Sequence, residues 1–448
     1  MATFHRFSRP DKNGNRYPSE ILDDRIADYI IKAFPLFIYG GQAYFYDGGV
    51  FRRDDDGSYL RNIISNLVFE EFRRSDKIAR VEKHILRDIH ALWVSDAEVN
   101  DLQHPAFNQY GPTVINFQNG LLDVRTMELL PHSPEYRAIN QVPHDWEPEK
   151  TATDSAVEDF LSGVIPDPED REMFLQYSGY CLTTGTYLQK FLVVTGQGGT
   201  GKSVLLHLVE MALGPANYSS LKLQDLDGKN RFSSAFLLGK LANICADIPS
   251  RALEDVSDLK TITGEDAVRA EYKGGKVFTF RPYCKLLFSC NSLPRSLDEK
   301  TNAYFRRLLI LSIMDRGPEI QRLQERLAEN IEDFIQMSVQ ALHRMVVDRH
   351  GEILCSTNCR NAVRQLYRDS DTVTAWMDER TVIRTPGHRT EKKTAYADYE
   401  AYCSATGRTA LGRNGFYANL REKGFYEHKS TGLIFFQDLE IIGEDAPF

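Results

Sequence analysis

The sequence lacks any apolar run long enough to cross a membrane, which takes about 20 residues in a helix. Its densest apolar stretch, Leu308 to Met314, spans seven residues and includes a serine. The first residues contain no apolar segment of the kind that directs secretion, so we expect a cytoplasmic protein without a membrane partner. The sequence also contains no internal repeat, no low-complexity tract and no long heptad run, which argues against a repeat protein or a coiled coil.

Cysteine is scarce, and positive charge is not in excess. The 448 residues include seven cysteines, an odd number, in apolar surroundings such as Leu286 to Cys290, which predicts reduced core thiols. The 54 Lys and Arg against 63 Asp and Glu give a net charge of −9, which argues against a basic coat over the whole surface. A local basic stripe, which is all that nucleic-acid binding requires, is compatible with this balance.

The remaining composition is that of a multidomain globular protein. With 42% apolar and 26% charged residues, a chain of this length predicts about three domains. We divide it into an N-terminal mixed α/β region (1–110), a linker or collar region (111–188), an α/β core (189–368) and a C-terminal region (369–448). The last combines two or three helices with a terminal hairpin, which is a winged-helix pattern. The predicted fold class is therefore α/β.

The strongest motif directly follows the apolar strand Phe191 to Thr195 and fits the pattern G-x-x-x-x-G-K-[ST]. It consists of Gly196, Gln197, Gly198, Gly199, Thr200, Gly201, Lys202 and Ser203. Glycines let backbone N–H groups turn toward a phosphate, and the following helix directs its positive end at the same anion. Lys202 is then placed to reach the β- and γ-phosphates, and the Ser203 hydroxyl to bind Mg²⁺. The motif predicts a site for ATP and Mg²⁺.

Three polar positions follow later apolar strands of this core. Asp247 ends the strand that begins at Leu241, and a carboxylate there can hold Mg²⁺ and orient water. Asn291 ends the next apolar strand, where an amide can hold the attacking water. Arg306 and Arg307 precede the strand from Leu308, where an arginine can neutralise transition-state charge. An ordinary strand-end Asp, a turn-forming Asn and a surface ion pair are the alternatives.

A hairpin signal lies between the Asp and Asn strands. The Gly274-Gly275 pair separates two alternating segments, 268–272 and 277–280, and Lys273 and Lys276 flank it. These lysines suit contacts with nucleic-acid phosphates. A solvated hairpin end is the alternative interpretation, because lysines also protect exposed strand edges.

The order of these features resembles the superfamily 3 AAA+ helicases. The phosphate loop, the Asp strand, Lys-x-x-Thr-Gly-x-Asp at 260–266, the lysine-tipped hairpin, Asn-x-x-Pro and the Arg-Arg strand follow one another as in that family. The chain is most similar to the helicase half of the phage and plasmid primase–helicases, a group that includes the poxvirus primase–helicase. The resemblance covers about residues 110 to 430, including 115–123 upstream and 395–420 downstream. It implies an AAA+ ATPase core and a winged-helix-like C-terminal domain.

The resemblance also implies roles for individual residues. Gly196, Gly198, Gly199, Thr200, Gly201, Lys202 and Ser203 would bind ATP; Ser203 and Asp247 would hold Mg²⁺; Lys202, Asp247, Asn291 and Arg306 or Arg307 would be catalytic; Lys273 and Lys276 would contact DNA. Members of the family form homo-hexameric rings with ATP held between subunits, so the arginine would act in trans, and we favour Arg306. The lysine-tipped hairpin would line the ring's channel and move single-stranded DNA.

Two departures from the family pattern stand out. Many relatives carry two adjacent acids at the strand end, whereas Ala246 precedes Asp247 here, so the water-polarising group is Asp247 itself, Glu254 or Asp255. Larger relatives also carry a primase domain with paired carboxylates. No convincing pair occurs in residues 1–110, so primer synthesis is not expected of this chain, and a separate primase partner is allowed.

The last region has a charge asymmetry. Between residues 384 and 429 nine Lys or Arg oppose five acids, a balance of +4 that suits duplex binding by a winged helix. A solvated basic face or a subunit contact is the alternative. Elsewhere, Cys355 and Cys359 have no second ligand pair nearby, which argues against zinc.

Three functions compete at this stage. The first is an ATP-driven replicative DNA helicase of a phage or mobile element that opens forked DNA, with the 3′→5′ direction that the family resemblance implies. The second is a replication initiator that binds an origin without processive unwinding, which a single strand-end acid would suit. The third, a small-molecule kinase, leaves the lysine-tipped hairpin, Asn291 and the arginine pair unexplained.

Overall fold

The computed structural model describes most of the chain. The described residues are 2–101, 105–148, 155–226, 231–249, 257–271, 277–293, 302–314, 321–380, 382–408 and 410–442. Within these ranges no helix combines the length and the apolar character of a membrane span. Their strands form one five-stranded parallel sheet and five antiparallel sheets of two or three strands.

The N-terminal region packs helices against a three-stranded sheet. Its elements are β1 (His5–Phe7), β2 (Pro18–Ile21), α1 (Asp23–Ala33), β3 (Leu36–Tyr39), β4 (Gln42–Asp47), β5 (Val50–Arg53), α2 (Ser58–Leu67), α3 (Ser75–Lys83) and α4 (Asp96–Val99). The turns at 40–41 and 48–49 are glycine pairs with positive φ, the geometry that joins neighbouring antiparallel strands. Ile30 of α1 and Ile64 of α2 are fully buried in one core with Phe45 of β4.

The next region contains a β-meander and two capped helices. Its elements are β6 (Val114–Phe117), β7 (Gly120–Asp123), β8 (Glu128–Leu130), α5 (Ala156–Val164) and α6 (Pro168–Cys181). The Ser155 hydroxyl accepts a hydrogen bond from the Glu158 amide at 3.2 Å and so starts α5. Asp167 caps α6 in the same way, with Pro168 at the first helical position.

The central sheet carries the predicted phosphate loop. Its region comprises β9 (Phe191–Gly196), α7 (Lys202–Leu213), β10 (Tyr218–Ser219), α8 (Arg231–Ser234), β11 (Ala242–Cys245), α9 (Ser257–Thr263), β12 (Val268–Glu271), β13 (Val277–Phe280), β14 (Lys285–Cys290), α10 (Asn302–Phe305), β15 (Leu308–Ile313), α11 (Leu323–Glu329), α12 (Ile331–Val347) and α13 (Thr357–Ser370). The sheet order is β10-β11-β14-β9-β15, and all neighbours are parallel. β9 and β14 are almost wholly buried, as apolar strands of a parallel sheet should be.

The C-terminal region has the element order α-β-α-α-β-β. It contains α14 (Thr372–Glu379), β16 (Val382–Glu391), α15 (Lys392–Ala405), α16 (Arg413–Glu422), β17 (Glu427–Ser430) and β18 (Leu433–Ile441). β18 lies between β16 and β17, and the terminal hairpin predicted from the sequence is confirmed. Trp376, Tyr399 and Phe416 fill its core, with the rings of the last two stacked at 4.5 Å.

One apolar core joins the region before residue 188 to the central sheet. Phe174 of α6 packs in it with Leu192 of β9 and Phe334 of α12.

A buried network of amides and phenols crosses the same boundary. The Asn140 amide donates to Asn217 Oδ1 at 2.9 Å, and the Tyr283 hydroxyl donates to Asn140 Oδ1 at 2.7 Å.

Candidate phosphate-binding site

The loop between β9 and α7 has the backbone that a phosphate cradle requires. Gly196, Gly199 and Gly201 have φ values of +156°, +80° and +95°, which side chains disfavour. A Cβ on Gly196 would stand 2.3 Å from the carbonyl oxygen of Ile313, so β15 presses against the loop at this point. A Cβ added at Gly198 or Gly199 would meet no heavy atom within 4 Å, so the loop is not crowded at these two positions.

Lys202 is folded into this loop. Its side chain is 5% exposed, and Nζ donates to the carbonyl oxygens of Gly196 and Gln197, each at 2.8 Å. A third hydrogen bond, 3.0 Å long, joins Nζ to Oδ1 of Asn291. An ammonium has three N–H donors, so all of them are engaged by protein oxygens. A phosphate entering the loop would therefore exchange with these acceptors.

The two hydroxyl residues of the motif differ in their surroundings. Thr200 is buried, and its hydroxyl donates to the Gln197 carbonyl at 2.9 Å, so it closes the loop. Ser203 lies exposed in the first turn of α7. Of the two hydroxyls, only that of Ser203 is open to a metal ion.

Asp247 lies at the same edge of the sheet, two residues beyond β11. It is exposed with φ +52°, and its amide donates to the Ser289 hydroxyl on the neighbouring β14 at 3.1 Å. Ser289 is a site residue that the motifs missed; its signal was one hydroxyl inside the apolar run Leu286 to Cys290. Burial raises the pKa of the Cys290 thiol to about 11; the Lys202 charge opposes this rise and the Asp247 charge adds to it. Both charges therefore act on the end of β14.

The two arginines lie at the other end of the sheet. Because β15 runs parallel to β9 over six residues, its first residue is about 20 Å from the loop. The Arg306 side chain is exposed, whereas Arg307 is 8% exposed and its guanidinium packs near Gly264. Lys190, which the motifs also missed, donates from Nζ to the Arg306 carbonyl oxygen. The structure thus brings Lys202 and Asn291 into contact, places Asp247 at the same edge of the sheet and keeps Arg306 apart from them.

The predicted DNA hairpin is described only in part. β12 pairs with β13 antiparallel, with Glu271 opposite Val277, as the hairpin signal predicts. Lys273 and Lys276 lie outside the described residues, and so do the alternative acids Glu254 and Asp255. In the part of the chain that the structure describes, no group of three or more His, Cys, Asp or Glu side chains forms a metal site.

The basic C-terminal segment is less free than its charge balance suggests. Five of its nine basic residues bind acceptors within the region or just before it. Lys392 and Arg421 pair with Glu427, Lys423 with Asp371, Arg408 with Glu379, and Arg384 with the carbonyl oxygens of Lys423 and Gly424. Arg389, Lys393 and Lys429 are exposed and have no ion pair with a described carboxylate.

Two protein-family models match separate segments of the chain. The family described as D5 N terminal like matches residues 23–170, and DUF5906, a family of unknown function, matches residues 194–307. The second segment includes the phosphate loop, Asp247, Asn291 and both arginines. The motif residues discussed above therefore lie almost entirely inside one family model.

A viral relative and solved structures extend these matches. A putative helicase of Acanthamoeba polyphaga mimivirus, L207/L206, is 26% identical over 218 residues, or 45% of this chain and 22% of that protein. The chain therefore spans less than a quarter of that relative. Two apo structures of the NrS-1 C-terminal region cover 93% and 94% of this chain and 99% and 100% of theirs, with TM-scores of 0.51 and 0.52 at 11% identity. At 11% identity, the solved structures show that this chain shares their fold.

Proposed function

We propose that this protein is an ATP-driven DNA helicase of the superfamily 3 AAA+ type, acting in replication of a phage or mobile element. The observation that carries the proposal is the 3.0 Å hydrogen bond from Lys202 of the phosphate loop to Asn291, which directly follows β14. A glycine-rich turn without a functional role would not require a contact between a buried ammonium and a strand-end amide. A nucleotide-hydrolysing site needs both, one for phosphate charge and one for the attacking water.

ATP and Mg²⁺ fit the donors that are present. The loop amides and Lys202 would hold the phosphates, and Ser203 and Asp247 would offer hard oxygen ligands to Mg²⁺. Mg²⁺ typically takes one or two protein ligands and completes its shell with phosphate and water, so this small set suffices. When bound, the metal would neutralise phosphate charge, and Asp247 would orient the attacking water.

The position of Arg306 supports a ring. An exposed arginine about 20 Å from its own loop cannot serve that loop, but it can reach the loop of a neighbouring subunit in a head-to-tail assembly. Arg307 is buried and is the weaker candidate. A closed homo-hexamer of this kind would place ATP between subunits and the β12–β13 hairpin toward a channel. Lys273 and Lys276 would then contact the backbone of single-stranded DNA.

The C-terminal region supports DNA binding in a second place. Its α-β-α-α-β-β order and three-stranded sheet suit a winged helix, and Arg389, Lys393 and Lys429 supply charge that its own carboxylates do not neutralise. The same feature, with a single strand-end acid at Asp247, favours the second candidate, an ATP-dependent replication initiator that binds an origin without processive unwinding.

Strand separation on a forked DNA duplex tests the first candidate. We expect unwinding with ATP and Mg²⁺ by the wild-type protein and none by Lys202→Ala. Lys32 is an exposed lysine on α1, and Lys32→Ala is the matched control, which should unwind normally. ATP hydrolysis without unwinding would favour the initiator. Neither hydrolysis nor unwinding in the wild type would contradict both candidates.

A further inference from the structure

Two cysteines at the start of α13 lie close together. The Sγ atoms of Cys355 and Cys359 are 3.5 Å apart. All seven cysteines of the chain are free thiols, and Cys355 is the only one of them that is not buried. A half-exposed thiol beside a buried one is the arrangement in which the first can meet a solute and the second can react with the product.

The backbone around the pair is held from α6. Asp170, which is 5% exposed, accepts hydrogen bonds from the Ser356 hydroxyl and from Asn358 Nδ2, the latter at 2.9 Å. Ser356 Oγ also accepts from the Cys359 amide at 3.0 Å and caps α13. Two of the three residues between the cysteines are thus fixed by one carboxylate. Hydrogen bonds therefore hold the backbone between the two cysteines in the conformation that gives the short sulfur–sulfur distance.

The pKa values of the two thiols are shifted in opposite directions. The hydrogen bond with Cys359 lowers the pKa of Cys355 to about 6, and the charges of Lys190 and Arg360 act in the same direction, against burial and Asp170. The hydrogen bond with Cys355 and burial raise the pKa of Cys359. The Ile310 amide on β15 donates to the Cys359 sulfur at 3.3 Å and opposes this rise. Cys355 is the more exposed of the two thiols and the one whose pKa is lowered, so we assign it as the nucleophile, because thiolates rather than thiols react.

We propose that Cys355 and Cys359 are a redox-active pair that a peroxide oxidises to an intramolecular disulfide. The Cys355 thiolate attacks a peroxide oxygen, the O–O bond breaks, and the departing hydroxide takes a proton and leaves as water. The sulfur of Cys359 then attacks the resulting sulfenic acid, and the S–O bond breaks. The second hydroxide leaves as water with the proton of Cys359. Two thiols and one hydrogen peroxide thus give one disulfide and two waters.

Only a small movement is needed. A disulfide bond is about 2 Å long, so the two sulfurs must approach by about 1.5 Å from their present separation. Rotation of the half-exposed Cys355 side chain can supply this approach. The pair requires neither a metal nor a second protein chain, and its chemistry is independent of the helicase proposal.

Peptide mass spectrometry on the full-length protein tests the pair. The native protein is treated with hydrogen peroxide, catalase ends the reaction, and the protein is denatured in N-ethylmaleimide before digestion with trypsin. Cleavage after Arg349 and Arg360 gives one peptide that contains both cysteines. We expect this peptide to lose two hydrogen atoms and to carry no maleimide. The peptides of the five other cysteines should be fully alkylated.

Two variants separate the steps. In Cys359→Ser the oxidation should stop at the sulfenic acid, which dimedone traps on Cys355, whereas the wild type should give no dimedone adduct. In Cys355→Ser, a substitution at a half-exposed position, Cys359 should stay reduced and be alkylated after denaturation. Full alkylation of both cysteines in the peroxide-treated wild type would overturn the proposal. A disulfide between two chains would overturn it as well.

Discussion

The ammonium of Lys202 donates a 3.0 Å hydrogen bond to the side-chain oxygen of Asn291, although the two residues are 89 positions apart in the chain. The contact exists because β9, which leads into the phosphate loop, pairs directly with β14, which ends before Asn291. It places the only cation of the loop and a strand-end amide at one point. The first two predictions concern these two side chains.

Lys202→Ala should abolish ATP hydrolysis, because the mobile γ-phosphate loses its counter-charge while the glycine backbone of the loop is unchanged. A loss of about a thousandfold or more in turnover is expected for removing such a charge stabiliser. Phosphate release at saturating ATP measures it. Turnover at the wild-type rate would show that hydrolysis occurs elsewhere.

Asn291→Ala should lower turnover by about 10²- to 10³-fold, as expected when a group that orients the reacting water is removed. Asn291→Asp is the isosteric comparison. Its carboxylate would hold Lys202 in an ion pair and repel the phosphates, so ATP binding should weaken as well. Steady-state kinetics separates the two effects, since the Ala variant should change kcat and the Asp variant both kcat and KM. An unchanged kcat in Asn291→Ala would show that Asn291 has no role in hydrolysis.

The adjacent arginines should respond differently to the same substitution. Arg306→Ala should fold normally, bind ATP and lose hydrolysis by about 10³-fold or more, because its exposed guanidinium serves another subunit. Arg307→Ala should instead lower the free energy of unfolding by about 1–3 kcal/mol, since a buried side chain is removed. Denaturant unfolding and phosphate release distinguish these outcomes.

A mixing experiment tests action in trans. Arg306→Ala and Lys202→Ala are each expected to be inactive, yet some junctions in a mixed assembly join an intact loop to an intact arginine. Mixing should therefore restore part of the hydrolysis. No recovery after demonstrated subunit exchange would place the role of Arg306 within its own chain.

The double substitution Lys273→Ala with Lys276→Ala should preserve basal ATP hydrolysis but remove its stimulation by single-stranded DNA. The lysines are expected to contact phosphates of the strand, and such contacts also make binding salt-dependent. Lys12→Ala with Lys32→Ala changes the charge equally in the N-terminal region and should leave the stimulation intact. Stimulation at the wild-type level in the hairpin variant would favour the alternative interpretation, in which the hairpin is a solvated strand edge without a role in DNA binding.

Lys285 should make stability depend on pH in the alkaline range. It is 3% exposed, donates to the Tyr283 carbonyl oxygen at 3.1 Å, and burial lowers its pKa to about 8. Between pH 8 and 10.5 the unfolded chain keeps the proton that the folded protein releases, so this residue's contribution to stability rises with pH. Relative to Lys285→Met, the wild type should gain about 3 kcal/mol across that range.

Denaturant unfolding at several pH values measures the gain. The comparison with Lys285→Met removes the contributions of the buried tyrosines, which both proteins share. Lys32→Met, at an exposed site, should track the wild type. A pH-independent difference between the wild type and Lys285→Met would show that Lys285 keeps its proton when folded.

The sequence predicts the local parts of this molecule well. The phosphate loop, the strands around it, the β12–β13 pairing and the terminal hairpin all follow from patterns within short windows. Contacts between segments that are distant in the chain cannot be predicted from such short windows. No window contains both Lys202 and Asn291, and no periodicity tells the exposed Arg306 from the buried Arg307.

Charge is the clearest case of what a linear pattern hides. The basic segment counts nine cations, but Lys423 binds Asp371, 52 residues earlier in the chain. Cys355 and Cys359, set aside in the sequence as a poor zinc site, become neighbours because Asp170 of another helix shapes the turn between them. In both cases the partner is brought in by the fold.

The buried amides around Asn140 bear on how the chain can be cut. A fragment that began at residue 189 would keep Asn217 and Tyr283 but lose Asn140, leaving the Asn217 oxygen and the Tyr283 hydroxyl without this partner. It would also uncover the apolar side chains that Phe174 and its neighbours on α6 now cover. Such a fragment should aggregate. The shortest piece expected to remain in solution and bind nucleotide begins before Asn108, whose amide also donates to Asn140.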